Sequence, residues 1–200
     1  MESKIKSFAT DYFIEIQEIR RHLHENPELS FEEFETSNYL KNKLITWGLE
    51  IDAIWVKTGF TVVIDSGKPG KTVAVRADLD ALPIQEKANV EYASKVDGKM
   101  HACGHDVHSA CLMGVAKILQ ATKNEWTGRV VLIFQPGEEK LPGGASLMIE
   151  EGILDRYKPD LILAQHVYPE FEVGRVGFKN GLYMASADEI YLTVKGMGGH

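Results

Sequence analysis

Val130-Val131-Leu132-Ile133-Phe134-Gln135-Pro136-Gly137-Glu138-Glu139 decides the architecture. Side chains on a strand alternate between faces, so an unbroken aliphatic and aromatic run predicts a strand covered on both sides. The Gln-Pro-Gly turn ends it, and two carboxylates follow. Covering both faces takes helices on both faces, and the surrounding sequence supplies candidates. Residues 107–119, with Ala110, Met113, Gly114, Val115 and Ile118, predict a largely buried helix. Residues 145–150 predict a short helix, and residues 161–164 a second buried strand. Strands and helices that alternate in this way predict an α/β domain, a mixed sheet with helices on both faces.

The N-terminal third fits that plan. Ile5, Phe8, Phe13, Ile16, Ile19 and Leu23 recur three or four residues apart, an amphipathic helix stopped at Asn26-Pro27. Ser30 is expected to open a second helix, with Glu33 in the capping-box position and an end near Gly48. Residues 51–56, 60–65 and 72–76 predict strands, the last two joined by a turn at 66–70. After Gly181 the texture changes: residues 187–194 alternate, then a glycine-rich turn leads to His200. This predicts a first domain over 1–184 and the start of a second over 185–200, with the chain stopping inside it.

The 200 residues hold 44% apolar and 26% charged side chains and a formal charge of −7, ordinary for a globular protein and unsuited to nucleic acid. The longest aliphatic and aromatic run is far too short for a bilayer, and the first residues lack the apolar core of a signal peptide. Two cysteines do not make a disulfide scaffold. A cytoplasmic protein is expected.

Chemistry concentrates in His101-Ala102-Cys103-Gly104-His105-Asp106-Val107-His108, three of the seven histidines within eight residues. Imidazole, thiolate and carboxylate are the donors of a transition-metal site. In open α/β sheets ligands gather at the carboxyl ends of strands. Asp78 and Asp80, the His/Cys loop, Glu138-Glu139 and His166 all fall there. Singly, most have ordinary explanations: a core histidine, a solvated turn, a cap, a small buried thiol. Jointly they supply donors for a pair of divalent ions. One glutamate can ligate while its neighbour acts as general base on water, hydrolysing an amide without a covalent intermediate.

Five stretches in order carry a resemblance. They are Arg21-His22-Leu23-His24-Glu25-Asn26-Pro27-Glu28-Leu29-Ser30-Phe31-Glu32-Glu33, Arg76-Ala77-Asp78-Leu79-Asp80-Ala81-Leu82-Pro83-Ile84, Met100-His101-Ala102-Cys103-Gly104-His105-Asp106, Phe134-Gln135-Pro136-Gly137-Glu138-Glu139 and Gly198-Gly199-His200. The chain resembles, over nearly its whole length, the N-acyl-amino-acid amidohydrolases, a group of dinuclear metallopeptidases that includes hippurate hydrolase, N-acetyldiaminopimelate deacetylase and auxin-conjugate hydrolases. The resemblance implies metal ligands at Cys103, His105, Glu139 and His166, and a general base at Glu138. It implies an aspartate at Asp78 that orients a metal-binding histidine, and a substrate-binding histidine at His200 in a lid domain. His101, Asp106 and His108 are expected to support the site. The implied cofactor is two divalent ions (zinc, manganese, cobalt or nickel), the substrate an N-acyl amino acid, and the assembly a homodimer through the lid. Relatives run to about twice this length and deliver one further histidine ligand, so a catalytically incompetent fragment or binding remnant is the alternative. A thiol hydrolase with Cys103 as nucleophile and His105 as its base is a third, separable by chelation.

Overall fold

The computed structural model describes residues 1–183 and 190–199. Two compact units divide the chain, Met1–Val167 and Tyr168–His200. Every helix and strand among the described residues belongs to the first. The second contributes turns, as where Phe171 N–H donates to the Tyr168 carbonyl. His200 and residues 184–189 lie outside the described residues, and with them part of the strand expected over 187–194; residues 190–199 form no strand.

Five strands make one mixed sheet in the order β1-β2-β4-β3-β5. They are β1 (Ile51–Trp55), β2 (Gly59–Asp65), β3 (Thr72–Asp78), β4 (Arg129–Gln135) and β5 (Leu161–Ala164). The pairs β1/β2 and β2/β4 are antiparallel, whereas β3 runs parallel to both β4 and β5. Three carboxyl ends therefore point the same way, at Asp78, Gln135 and Ala164.

The apolar run of β4 is used on both faces. Leu132 and Phe134 join Phe60, Val62 and Ile64 of β2 in a core beneath three helices: α1 (Glu2–Glu25), α2 (Phe34–Thr46) and α3 (His105–Ala121). Phe60 and Phe134 stack at 4.4 Å between centroids, both fully buried. Burying each contributes about 1.5–3 kcal/mol. Val131 and Ile133 face the other way, into a smaller core with Ala74, Trp55 and the helices α4 (Gly144–Glu150) and α5 (Ile153–Tyr157). The helix from β3 to β4 lies on one face and the pair from β4 to β5 on the other. That reversal opens a crevice at the strand ends.

Two expectations need correction. Residues 161–164 do form a strand, but it is an edge strand, with Leu161, Ile162 and Leu163 about half exposed at 51%, 48% and 49%. It pairs only with β3, and its other edge has no neighbouring strand among the described residues. The second helix begins at Phe34 rather than Ser30, with no side-chain cap. Ser30 and Glu33 are buried, and their side chains serve partners far along the chain. Helix α5 had no signal strong enough to predict it. No helix among the described residues is long and apolar enough to cross a membrane.

Candidate metal centre

The site is assembled from four chain segments at the carboxyl edge. Strand β3 ends in Asp78, and Asp80 follows. Gly104 is the N-cap of α3 at φ 96°, a left-handed conformation that suits glycine. A Cβ at Gly104 would stand 2.4 Å from Val167 Cγ2, so the glycine lets this loop approach the segment after β5. Cys103 precedes it and His105 is the first residue of α3. Glu138 and Glu139 follow the β4 turn, and His166 follows β5.

Tautomers follow from the hydrogen bonds. His105 Nδ1 lies 2.9 Å from the Asp80 carbonyl oxygen, which can only accept, so Nδ1 carries the proton and Nε2 faces the crevice. His166 repeats the pattern, donating from Nδ1 to the Val167 carbonyl at 2.7 Å. Its Nε2 stands 3.3 Å from Cys103 Sγ. His105 Nε2 is 3.7 Å from Glu139 Oε1, 3.6 Å from Asp78 Oδ2 and 4.0 Å from Glu138 Oε2. His105 Nε2 and Glu139 Oε1 are both buried without a hydrogen-bond partner among the described residues. Buried polar atoms are ordinarily paired.

These donors fit a divalent cation. Two nitrogen or oxygen ligands on one tetrahedral ion, each about 2.1 Å away, sit about 3.4 Å apart. The donor atoms of Cys103, His105 and His166 lie within 4.8 Å of one another, as do those of His105, Glu138 and Glu139. Electrostatics agrees. Burial opposes a charge on His105, yet its bond to Asp80 and the neighbouring Cys103 and Asp78 push its pKa up to about 11. The carboxylates of Asp78, Glu138 and Glu139 around His105 Nε2 concentrate negative potential in the crevice, which suits a cation.

Around these donors runs a tight support. Asp80 Oδ2 accepts from Ser30 Oγ at 2.6 Å and from the Glu139 backbone N–H at 2.9 Å. Burial raises the Asp80 pKa, but its bonds with His105, Ser30 and the Glu138–Glu139 backbone lower it on balance. The bond that orients His105 comes from Asp80, whereas Asp78 Oδ1 lies 2.7 Å from His108 Nδ1. Asp78 Oδ2 meets Arg76 at 2.8 Å. Against the cost of burial, His108 and Arg76 take the Asp78 pKa down to about 2. His108 Nε2 accepts from the Val167 backbone N–H at 3.0 Å, so its lone pair is occupied and it braces the His166 segment. His101 is buried with both ring nitrogens unpartnered among the described residues, and burial brings its pKa down to about 4.

The two glutamates differ. Glu139 is 21% exposed and turned inward, Glu138 is 43% exposed beside it. Burial and the charge of Glu139 raise the Glu138 pKa, toward the range useful to a general base. Sequence reasoning read Glu33 as a helix cap and assigned His24 no role. Glu33 is fully buried and accepts from Gly137 N–H at 2.8 Å, directly before Glu138. For His24 the signal was membership of the motif at 21–33.

The fold and this edge define a class: α/β hydrolytic domains of the metallopeptidase kind. Among solved structures the chain matches the YxeP protein of Bacillus subtilis, a dinuclear metal-binding peptidase of the M20 family. The TM-score is 0.80 at 44% identity, covering 88% of this chain and 47% of that one. The model of peptidase family M20/M25/M40 matches residues 74–193, and the chain belongs to that family. N-acetylcysteine deacetylase of Bacillus subtilis is 45% identical over 183 residues, 91% of this chain and 47% of the deacetylase. N-acyl-L-amino acid amidohydrolase of Geobacillus stearothermophilus is 39% identical over 200 residues, 100% of this chain and 53% of the amidohydrolase. The chain thus spans about half the length of these relatives.

Proposed function

We propose that this chain carries the metal-binding part of a hydrolase that cleaves the amide bond of N-acyl amino acids. The observation that supports this most is the convergence of Cys103, His105, Glu139 and His166, with unpartnered donor atoms on His105 and Glu139. Deacetylase and amidohydrolase relatives favour the same chemistry. In this reading those four residues hold a pair of divalent ions. When bound, such ions polarise a carbonyl and acidify water to a pKa of about 7.

The chain's own contribution is positional and protonic. Asp80 fixes the His105 ring through Nδ1, and His108 and Val167 fix the approach of His166. Glu138 takes a proton from the attacking water and returns it to the leaving amine nitrogen. Its raised pKa suits both halves of that cycle. Domain boundaries at 184/185, a lid contact from His200 and a homodimer belong to this proposal too.

The test is Glu138→Gln in the intact protein. It should keep the metal content of the parent and lose turnover of N-acetyl amino acids by about 10²–10⁴-fold. Retained turnover would remove Glu138 from the mechanism. One contact favours a second reading: the 3.3 Å approach of Cys103 Sγ to His166 Nε2 is also that of a thiol–imidazole pair. A thiol hydrolase survives chelation; the proposed enzyme does not.

A further inference from the structure

The motif at 21–33 lies outside the proposed ligand set, yet one of its residues joins three elements. His24, near the end of α1, is 5% exposed. Its Nδ1 lies 2.7 Å from Asp106 Oδ2, in the first turn of α3 beside His105. Its Nε2 lies 3.2 Å from Glu86 Oε1. Glu86 belongs to a loop over 83–99 that contains no helix or strand. Leu82 and Met100 close that loop by exchanging both backbone hydrogen bonds at 3.0 Å. One end of the loop leads from Asp80 and the other into His101 and Cys103, so its placement sets two walls of the site.

Long loops without secondary structure need anchors. Glu86 Oε2 accepts from Ser94 N–H at 2.5 Å. Lys95 pairs with Glu25 at 2.6 Å. The guanidinium groups of Arg20 and Arg21 sit 4.8 Å and 4.9 Å from the Tyr92 ring centre. His24 reaches both the loop and α3 from within the helix, and Arg20, one turn earlier, does the same through Tyr92 and Asp106.

Its hydrogen bonds constrain its charge. Arg20 Nε lies 2.9 Å from Asp106 Oδ2, which keeps Asp106 ionised, and an ionised carboxylate only accepts. At Nδ1 the carboxylate contact of 2.7 Å outweighs the Arg20 Nη2 group at 3.4 Å, and Nε2 faces the Glu86 carboxylate, so both nitrogens donate. We propose that His24 is a positioning residue, an imidazolium that donates to Asp106 and Glu86 at once and so locks the 83–99 loop to the first turn of α3 and to His105. The groups facing it are Asp106 from α3, Glu86 and Tyr92 from the loop, Arg20 from its own helix, and the His101 ring at 6.5 Å. The hydrogen bond to Asp106, opposed by burial and reinforced by the charge of Asp106 and by Glu86, raises the His24 pKa. A raised folded pKa means that the contribution is complete below about pH 6.5. It is lost as pH climbs through the folded value.

The role rests on the site proposed above, but its charge state is measured without any hydrolysis. In ¹⁵N-histidine NMR of the intact protein, His24→Gln identifies the His24 signals. Both ring nitrogens should be protonated at about pH 7, losing one proton on the alkaline side. By hydrogen exchange, His24→Gln should lower protection of residues 83–99 and 104–108 about tenfold. It should also weaken zinc affinity by about 10–100-fold. Glu86→Gln, which spares the bond to Asp106, should loosen the loop and leave 104–108 protected, so the test survives if His24→Gln does not fold. A neutral His24 ring at about pH 7, or unchanged exchange in either variant, would overturn the proposal. Loss of the amidohydrolase reading would leave the protonation of His24 as it is.

Discussion

Glu33→Ala should destabilise this protein by about 3 kcal/mol, although Glu33 touches none of the proposed ligands. The carboxylate accepts from Phe31 N–H at 2.9 Å and Gly137 N–H at 2.8 Å on one oxygen, and from Thr58 Oγ1 at 2.7 Å on the other. Alanine leaves the Gly137 and Thr58 donors buried, at about 1–3 kcal/mol for each donor left unpaired. Relief from burying a carboxylate offsets part of that. Burial, opposed by these hydrogen bonds, raises the Glu33 pKa above its ordinary value. By linkage, its contribution is complete below about pH 4.3 and diminishes as pH rises through the folded value. A neutral isostere should therefore serve well near neutrality. Glu33→Gln should stay within about 1 kcal/mol of the parent, its amide oxygen accepting from the two backbone donors and Thr58 turning to accept from the amide nitrogen. Urea unfolding of both variants at about pH 7 and fixed metal concentration is the assay. If alanine costs less than about 0.5 kcal/mol, or glutamine costs as much as alanine, the reasoning about Glu33 is wrong.

Gly104→Ala forces a Cβ to within 2.4 Å of Val167 Cγ2 at φ 96°. It should lower the melting temperature by several degrees and reduce metal binding, as seen by calorimetry and elemental analysis. Unchanged melting would mean that the loop has room to move. Cys103→Ser keeps the size but removes the soft donor, and titration with zinc should show affinity reduced by at least tenfold; equal affinity would take Cys103 out of the ligand set. Removal of metal by chelation should end turnover and lower the melting temperature, both recovering on adding zinc or manganese.

Much of the fold was legible because β4 carries an unbroken apolar run between turn signals and α3 an apolar pattern of helical length. The same signal failed on β5. An apolar run of four residues does not reveal whether a neighbour will cover it, and Leu161, Ile162 and Leu163 sit at an edge. Ser30 and Glu33 imitated a helix start because the residue types that cap helices also accept and donate over long range. Their partners, Asp80 and Gly137, are 50 and 104 residues away. The donor cluster was visible because its members are rare types that recur at strand ends. Asp80's main part was not, because its backbone carbonyl does the work at His105, and a carbonyl is common to every residue.

The approach of Cys103 to His166 joins points 63 residues apart in the chain. An ion held between them would close that span as a covalent cross-link does, a loop-entropy effect of about 4 kcal/mol on the unfolded chain. Metal supply would then act on the lifetime of the protein as well as its chemistry. Under metal depletion the chain would unfold and be degraded more readily, so its abundance would follow metal availability without any dedicated sensor.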